Sequence, residues 1–233
     1  MKLEMHCHTR FGSSCSYLMP EELVARAVEV GLDGVCITEH DVPWDRDAAQ
    51  RLSDRYGILV VGGMEVSTSL GEVLVWGLHE SIFDLKDIHD LRRRVDRAGG
   101  VMVAAHPFRG AQSLVRWDPS RGMVFRIDQG VSLPILSVVD AMEVFNGMAP
   151  DWELDLTAAV AEALPMAGTG GSDAHNVATV GDCVTVLHRR VSTDVDLFEE
   201  IRAGRFHAEH RLLNRRYQSG EANQEPEVAA HAR

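Results

Sequence analysis

Short apolar runs that end in a histidine or an acid recur along this chain, and they restrict its fold more than any other feature. His6-Cys7-His8, Glu39-His40-Asp41, Ala105-His106-Pro107 and Ser172-Asp173-Ala174-His175 each sit at or just after such a run. Gly63-Met64-Glu65-Val66-Ser67 adds a carboxylate in a similar setting. The runs are short, and glycines and polar residues bound them, so they read as strands. Imidazole and carboxylate groups set repeatedly at strand ends are what a multinuclear metal site requires.

Between these runs lie helical segments. Residues 20–28 carry a proline at the start, acids in the first turn and apolar side chains at helical spacing, and Gly31 ends the pattern. Residues 45–56 form a polar helix stopped by Gly57, and 84–98, 151–163 and 194–203 read the same way. Strands are expected at 2–8, 34–38, 58–61, 64–68, 101–105, 140–144, 166–168 and 180–187, with 72–78 as a hairpin partner. The stretch 107–134, with Arg109, Arg116, Arg121 and Arg126, reads as loops with short helices. The alternation implies βα units around a mainly parallel sheet, with an active site at the carboxyl ends of the strands. No glycine-rich phosphate fingerprint follows the first strand, which counts against a dinucleotide-binding sheet.

A chain of 233 residues with 45% hydrophobic content can bury one large core. Residues 1–218 are expected to form one hydrolase domain, and the polar, aperiodic 219–233 a disordered tail. A net charge of −12 excludes a general nucleic-acid coat, and no stable nucleic-acid complex is expected. The four cysteines suggest neither a disulfide framework nor a zinc knuckle, and Cys36, inside an apolar run, is expected to be buried and inert. With no signal peptide and no membrane-spanning run, a cytoplasmic protein without a membrane partner is the default expectation.

Each piece has a plainer explanation. His6 and His8, two apart on a strand, leave one face, although a lone His-x-His is as well explained by two unrelated polar residues. Glu65 could be a surface acid, His106 a core histidine capping its strand, and Asp173-Ala174-His175 a polar turn. Cys7 alternates to the opposite face from the histidines, which makes a Cys-His nucleophile remote; Cys15 is the better thiol.

Taken together, His6-x-His8, Thr38-Glu39-His40, Gly63-Met64-Glu65, His106-Pro107 and Gly171-Ser172-Asp173-Ala174-His175 resemble the polymerase and histidinol phosphatase (PHP) family, in the family's order and up to about Arg211. The resemblance implies an α/β fold, a distorted seven-stranded TIM-like (β/α) barrel with its metal site at the C-terminal ends of the strands. It implies two or three divalent ions, zinc, manganese or iron, and phosphoesterase activity on a small-molecule or nucleotide phosphate mono- or diester through a metal-bridging hydroxide. It places His6, His8, Glu65 and Asp173 on one ion. Glu65 then bridges to a second ion shared with His106, and His40 and His175 hold a third with a loop residue. That loop position is Cys15 here, a departure whose soft sulfur favours zinc or iron if it ligates at all. Where some members carry another histidine after His106-Pro107, this chain has Glu143-Val144-Phe145-Asn146-Gly147, so Glu143 is a ligand or a support to ligands. Glu39 replaces the commoner aspartate and would orient His40 or another imidazole. Arg109, and less directly Arg10, would clamp the phosphate, and His175 or a metal-bound water would protonate the leaving oxygen. A carbon–nitrogen hydrolase on the same metals and a non-catalytic metal-binding module are the competing readings.

Overall fold

The computed structural model describes residues 1–82 and 85–219. Strand β1 (Lys2–Glu4) leads through a long loop to α1 (Pro20–Glu29), β2 (Gly34–His40), α2 (Arg46–Tyr56), β3 (Leu59–Thr68), β4 (Gly71–Trp76), α3 (Ile88–Ala98) and β5 (Val101–Ala104). A hairpin of β6 (Val115–Asp118) and β7 (Gly122–Phe125) and the short α4 (Ile127–Gly130) follow. The chain then forms β8 (Ala141–Asn146), α5 (Asp151–Ala163), β9 (Gly168–Gly171), β10 (Cys183–Leu187), α6 (Asp194–Ala203), β11 (Phe206–His210) and β12 (Arg215–Tyr217).

Helix boundaries follow local chemistry. The Asp45 carboxylate accepts the Ala48 N–H at 2.7 Å and starts α2, and Gly57, at φ 70°, stops it. Asp87 accepts the N–H groups of His89 and Asp90, so α3 starts at Ile88 rather than at 84; residue 84 itself lies outside the described residues. Residues 220–233, most of the tail expected to be disordered, also lie outside them, while the Ser219 hydroxyl donates to the Pro165 carbonyl at 3.0 Å. No helix among the described residues is long and apolar enough to cross a membrane.

Ten strands form one sheet in the order β12-β11-β10-β1-β2-β3-β4-β5-β8-β9. The sheet curls until β9 meets β10: Gly170 N–H donates to the Thr185 hydroxyl at 2.9 Å, and that hydroxyl donates back to Gly170 O at 3.0 Å. The result is a nearly closed barrel. It is less parallel than the sequence suggests. The β1–β2, β2–β3, β5–β8 and β8–β9 pairs are parallel, whereas β3–β4, β4–β5, β1–β10, β10–β11 and β11–β12 are antiparallel. For β3–β4 the physical reason is the connection, whereas β4–β5 and β10–β11 are antiparallel although α3 and α6 join them. β4 returns through a tight turn at residues 69–70, and β10 runs against β1. Parallel neighbours need a long crossover, which the chain supplies elsewhere as helices.

Alternation along the strands assigns two faces. Val35 and Ile37 pack with Leu23 and Val24 of α1 and Leu52 of α2, whereas Cys36 between them joins Leu3, Leu74 and Trp76 inside the barrel. Met102, Ala104, Met142 and Val144 face α3 and α5. Each such large apolar side chain contributes about 1.5–3 kcal/mol on burial. Leu197, Phe198 and Ile201 of α6 close the inner cluster beside Val101, the first residue of β5, and Leu187, the last of the reversed β10. The end of the barrel where the forward strands begin is thus filled with hydrocarbon, and the carboxyl ends are left for polar groups.

Candidate metal centre

Extended backbone continues past β1: His8 N–H donates to Ala174 O at 3.0 Å, and Thr38 N–H to Cys7 O at 2.9 Å. This holds residues 6–8 between β2 and the segment after β9, with His6 and His8 on one face. Cys7 points the other way and donates to Cys36 O at 2.9 Å. Burial pushes its thiol well above the ordinary value, so Cys7 is no nucleophile. Cys36 is buried too, its thiol likewise raised by burial.

Glu65 lies on β3, opposite His40 of β2 in register. Its inward face follows from parity, since Met64 and Val66 pack outward against α3. His106 and Asp173 come just after β5 and β9, where the backbone takes left-handed φ values of 27° and 52°. That conformation costs a non-glycine residue about 1–3 kcal/mol. The local turn lets both side chains meet the same cluster although their strands have ended.

The donor atoms converge. His6 Nε2 lies 3.1 Å from His8 Nε2, 3.4 Å from Glu65 Oε1 and 3.6 Å from Asp173 Oδ1. His8 Nε2 lies 3.2 Å from Asp173 Oδ1 and 3.4 Å from Glu65 Oε2. His106 Nε2 is 2.9 Å from Glu65 Oε1, and His40 Nδ1 is 3.1 Å from Glu65 Oε2. Two ligands at about 2.0–2.1 Å from one tetrahedral ion stand about 3.4 Å apart. The separations around His6 and His8 bracket that edge length, so these residues fit the cation that their chemistry suggests. Each of the sets His6/His8/Glu65, His6/His106/Asp173, His8/His40/His175 and Glu65/Glu72/His106 offers one donor atom apiece within 4.8 Å of the others.

The electrostatics agree with that fit. Burial alone would lower the basicity of His6, but Glu143, Asp173 and Glu65 outweigh it and raise its pKa well above the ordinary value. Burial, with the charge of His6 adding to it, takes His8 down to about 4. Glu65 and Asp173 are held far below the usual carboxylate range despite burial, chiefly by His6. The centre is an acidic pocket that draws positive charge, whether proton or metal ion.

Each expected site residue has a definite place. Cys15 is exposed, and its Sγ lies 3.3 Å from His40 Nε2, at the edge of the third donor set. His175 Nδ1–H donates to Asp173 O at 2.8 Å, which leaves Nε2 as its free lone pair. Glu143 is buried and already committed: it accepts from His106 N–H and from Asn146 Nδ2 at 2.9 Å each and sits 3.0 Å from His6 Nδ1. It therefore holds ligands in place. Glu39 does not meet the His40 ring; it accepts from Thr9 and Ser13. Arg109 Nη2 donates to Asp173 Oδ2 at 2.7 Å and to Asn146 Oδ1 at 3.2 Å, with 44% of its side chain exposed. Arg10 is exposed, and no hydrogen bond or ion pair among the described residues ties its side chain to the cluster.

Sequence reasoning missed Glu4, Ser13, Glu72 and Asn146. Glu72 Oε2 lies 3.7 Å from His106 Nε2. The signal was the β3–β4 register: Glu72 pairs with Ser67, two residues beyond Glu65 and on its face. Glu4 is buried in the core, accepts N–H groups from His6, Ser172 and Gly181 at 2.8–3.1 Å, and is pushed up to about 7 by burial. A cavity of about 580 Å³ lies at the opposite end of the strands, lined by residues such as Met1, Asp33 and Leu59. It holds no such donor cluster, and its Arg46 and Arg190 are paired with Asp194 and Asp33.

Comparison with known proteins agrees with this geometry. A two-domain Bacteroides vulgatus protein, described as containing a "predicted PHP-like metal-dependent phosphoesterase", superposes with a TM-score of 0.65 at 21% identity, over 89% of this chain and 64% of that one. This chain thus spans just under two thirds of that relative. An amidohydrolase from Chromobacterium violaceum, with bound sulfate and no metal, superposes with a TM-score of 0.55 at 17% identity, over 87% of this chain and 96% of that one. Likenesses at these identities establish the shared fold. An uncharacterised protein of Methanocaldococcus jannaschii is 25% identical over 117 residues, 46% of this chain and 68% of the relative. The family model of the PHP domain matches residues 4–108, and the PHP-associated model matches 152–206. With both matches covering well over half the sequence and the donor residues gathered at one end of the barrel, the chain belongs to the PHP family.

Proposed function

We propose that this chain is a metal-dependent hydrolase of phosphate mono- or diesters of a small molecule or nucleotide. The observation that carries the reading is the convergence of His6, His8, His40 and His106 on Glu65, with Asp173 beside His6 and His8 and the half-exposed Arg109 guanidinium at the rim. His6, His8, Glu65 and Asp173 would hold one ion. Glu65, Glu72 and His106 would hold a second, and His40, His175 and Cys15 a third. Two carboxylates and one imidazole make the second set harder than the third, which suits manganese or iron, while sulfur in the third suits zinc or iron. Bound divalent cations supply Lewis acidity and an acidified water at neutral pH.

The chain's own groups do the rest. Arg109 presents N–H donors to non-bridging phosphate oxygens, exchanging part of its bond to Asp173 for them. Glu143 and Asn146 keep His6, His106 and Arg109 oriented through the hydrogen bonds described above. His175 offers Nε2 alone, and that atom serves either an ion or a proton for the leaving oxygen, one at a time.

The test is metal analysis of protein purified without added metal, followed by turnover of phosphate mono- and diester panels. His6→Ala, with its circular dichroism unchanged, should lose turnover; full activity in that variant rejects the assignment. A second reading, hydrolysis of a carbon–nitrogen bond, is favoured by the likeness to an amidohydrolase. Turnover of an amide panel without turnover of any ester would select it.

A further inference from the structure

We propose that Ser13 is a positioning residue. With Glu39 it forms a relay that fixes the proton of His8 on Nδ1 and leaves Nε2 a bare donor facing the centre. The inference rests on the assignment of His8 to a metal centre.

Ser13 is buried, and its Oγ has three neighbours. It lies 2.5 Å from Glu39 Oε2, 3.1 Å from His8 Nδ1 and 3.3 Å from the His40 N–H. A hydroxyl has one proton and two lone pairs. The His40 N–H can only donate, so it takes one lone pair. Glu39 also accepts the Thr9 N–H, at 3.1 Å to each oxygen, and the Thr9 hydroxyl. A carboxylate so surrounded by donors is an acceptor for Ser13 as well, and it takes the hydroxyl proton. One lone pair then remains for His8, and Nδ1 must bring the proton to it. The other tautomer would set two lone pairs 3.1 Å apart in a dry site, at about 1–3 kcal/mol, a cost that donation from Nε2–H to Asp173 Oδ1, 3.2 Å away, offsets only in part.

On its far side, His8 Nε2 faces His6 Nε2 at 3.1 Å, Asp173 Oδ1 at 3.2 Å and Glu65 Oε2 at 3.4 Å. The relay thus delivers a lone pair where three other donor atoms gather. Gly12 lets the loop lie this close, since a Cβ there would fall 2.5 Å from Glu39 Cγ.

The experiment uses the full chain with ¹⁵N-labelled histidine, without metal and loaded with zinc. Long-range ¹H–¹⁵N correlations read the tautomer of His8, and a cobalt(II) titration reads affinity. The wild type should carry the His8 proton on Nδ1. In Glu39→Gln the new amide can donate to Ser13, which turns the hydroxyl toward His8 and shifts its proton to Nε2. Ser13→Ala should remove the preference for Nδ1. Both variants should weaken the tightest cobalt site about 10- to 100-fold. A wild-type His8 protonated on Nε2 would overturn the proposal, and so would an unchanged tautomer and affinity in Ser13→Ala, which decides the matter alone if Glu39→Gln fails to fold. Neither readout involves a substrate, so a wrong assignment of phosphoesterase activity would leave this result standing.

Discussion

Gly171→Ala tests how tightly the centre depends on backbone packing. A Cβ at residue 171 would lie 2.5 Å from His6 Cβ, 2.6 Å from Glu143 Oε1 and 3.1 Å from His6 N. Such atoms rest at about 3.5–4.0 Å, so a gap of about an ångström must open between β9 and the segment after β1. Neither obstacle can swing aside. His6 Cβ is fixed to its backbone, and Glu143 is tied to His106 and Asn146. Overpacking of this kind costs about 1–3 kcal/mol. In a chain of this length that lowers Tm by roughly 2–12 °C, at about 2–4 °C per kcal/mol. The same displacement misplaces the His6 imidazole and should weaken metal binding about 10- to 100-fold. Gly57→Ala is the control: its φ of 70° imposes a strain of about 1–2 kcal/mol, but no atom lies within 4 Å of the new Cβ. Thermal melts in chelator and cobalt titrations of both variants separate the effects. Comparable loss of stability with weakened binding only in Gly171→Ala is expected. Wild-type binding by Gly171→Ala, or equal loss of affinity in both variants, would refute the reasoning.

Glu143→Ala strands the buried His106 N–H and leaves the Asn146 amide only its long bond to Asp173 at 3.5 Å, so denaturant titration should show a loss of about 1–3 kcal/mol for the stranded N–H. Arg205, and then Arg189, hold the Glu200 carboxyl below its ordinary value. That stabilisation is complete above the unfolded glutamate pKa of about 4.3 and fades as pH falls through the lower folded value. The urea midpoint gap between wild type and Glu200→Gln should therefore be open at neutral pH and close in acid; a gap that widens in acid contradicts the pairing. Native protein should expose one thiol to alkylation, Cys15, with Cys7, Cys36 and Cys183 reacting only on unfolding. Zinc should slow the labelling of Cys15 if sulfur joins His40, and an unchanged rate would remove it from the third set. Glu72→Ala should reduce the number of tightly held cations by one while His6→Ala disturbs the first set; equal stoichiometry in Glu72→Ala and wild type would return Glu72 to the surface.

The legible parts of the sequence were those where one residue decides the outcome locally. Asp45 and Gly57 bound α2 by capping chemistry alone, and α5 and α6 fall where periodicity places them. The placement of His6, His8, His106 and Asp173 at or past strand ends was readable for the same reason, whereas Glu65 lies inside β3. Strand direction was not, because pairing depends on partners far along the chain. Strands β6, β7, β11 and β12 have three to five residues each, too few for alternation to stand out. Glu72 needed the hairpin register, and Ser13 needed the loop path. The left-handed turns at His106 and Asp173 have no sequence mark, since neither residue is a glycine.

The position of β1 in the middle of the sheet has a consequence for biosynthesis. Leu3 pairs with Gly34 on one side but with Thr185 on the other, so β1 stays open along one flank until β10 emerges. At about 5–20 residues per second the ribosome needs roughly 10–40 s to reach that point. During that interval the nascent chain offers an unpaired edge that other chains can join. Recombinant yield should therefore respond to whatever shelters nascent polypeptides, such as a holding chaperone or a cooler culture, and a shortened chain ending before residue 183 should aggregate.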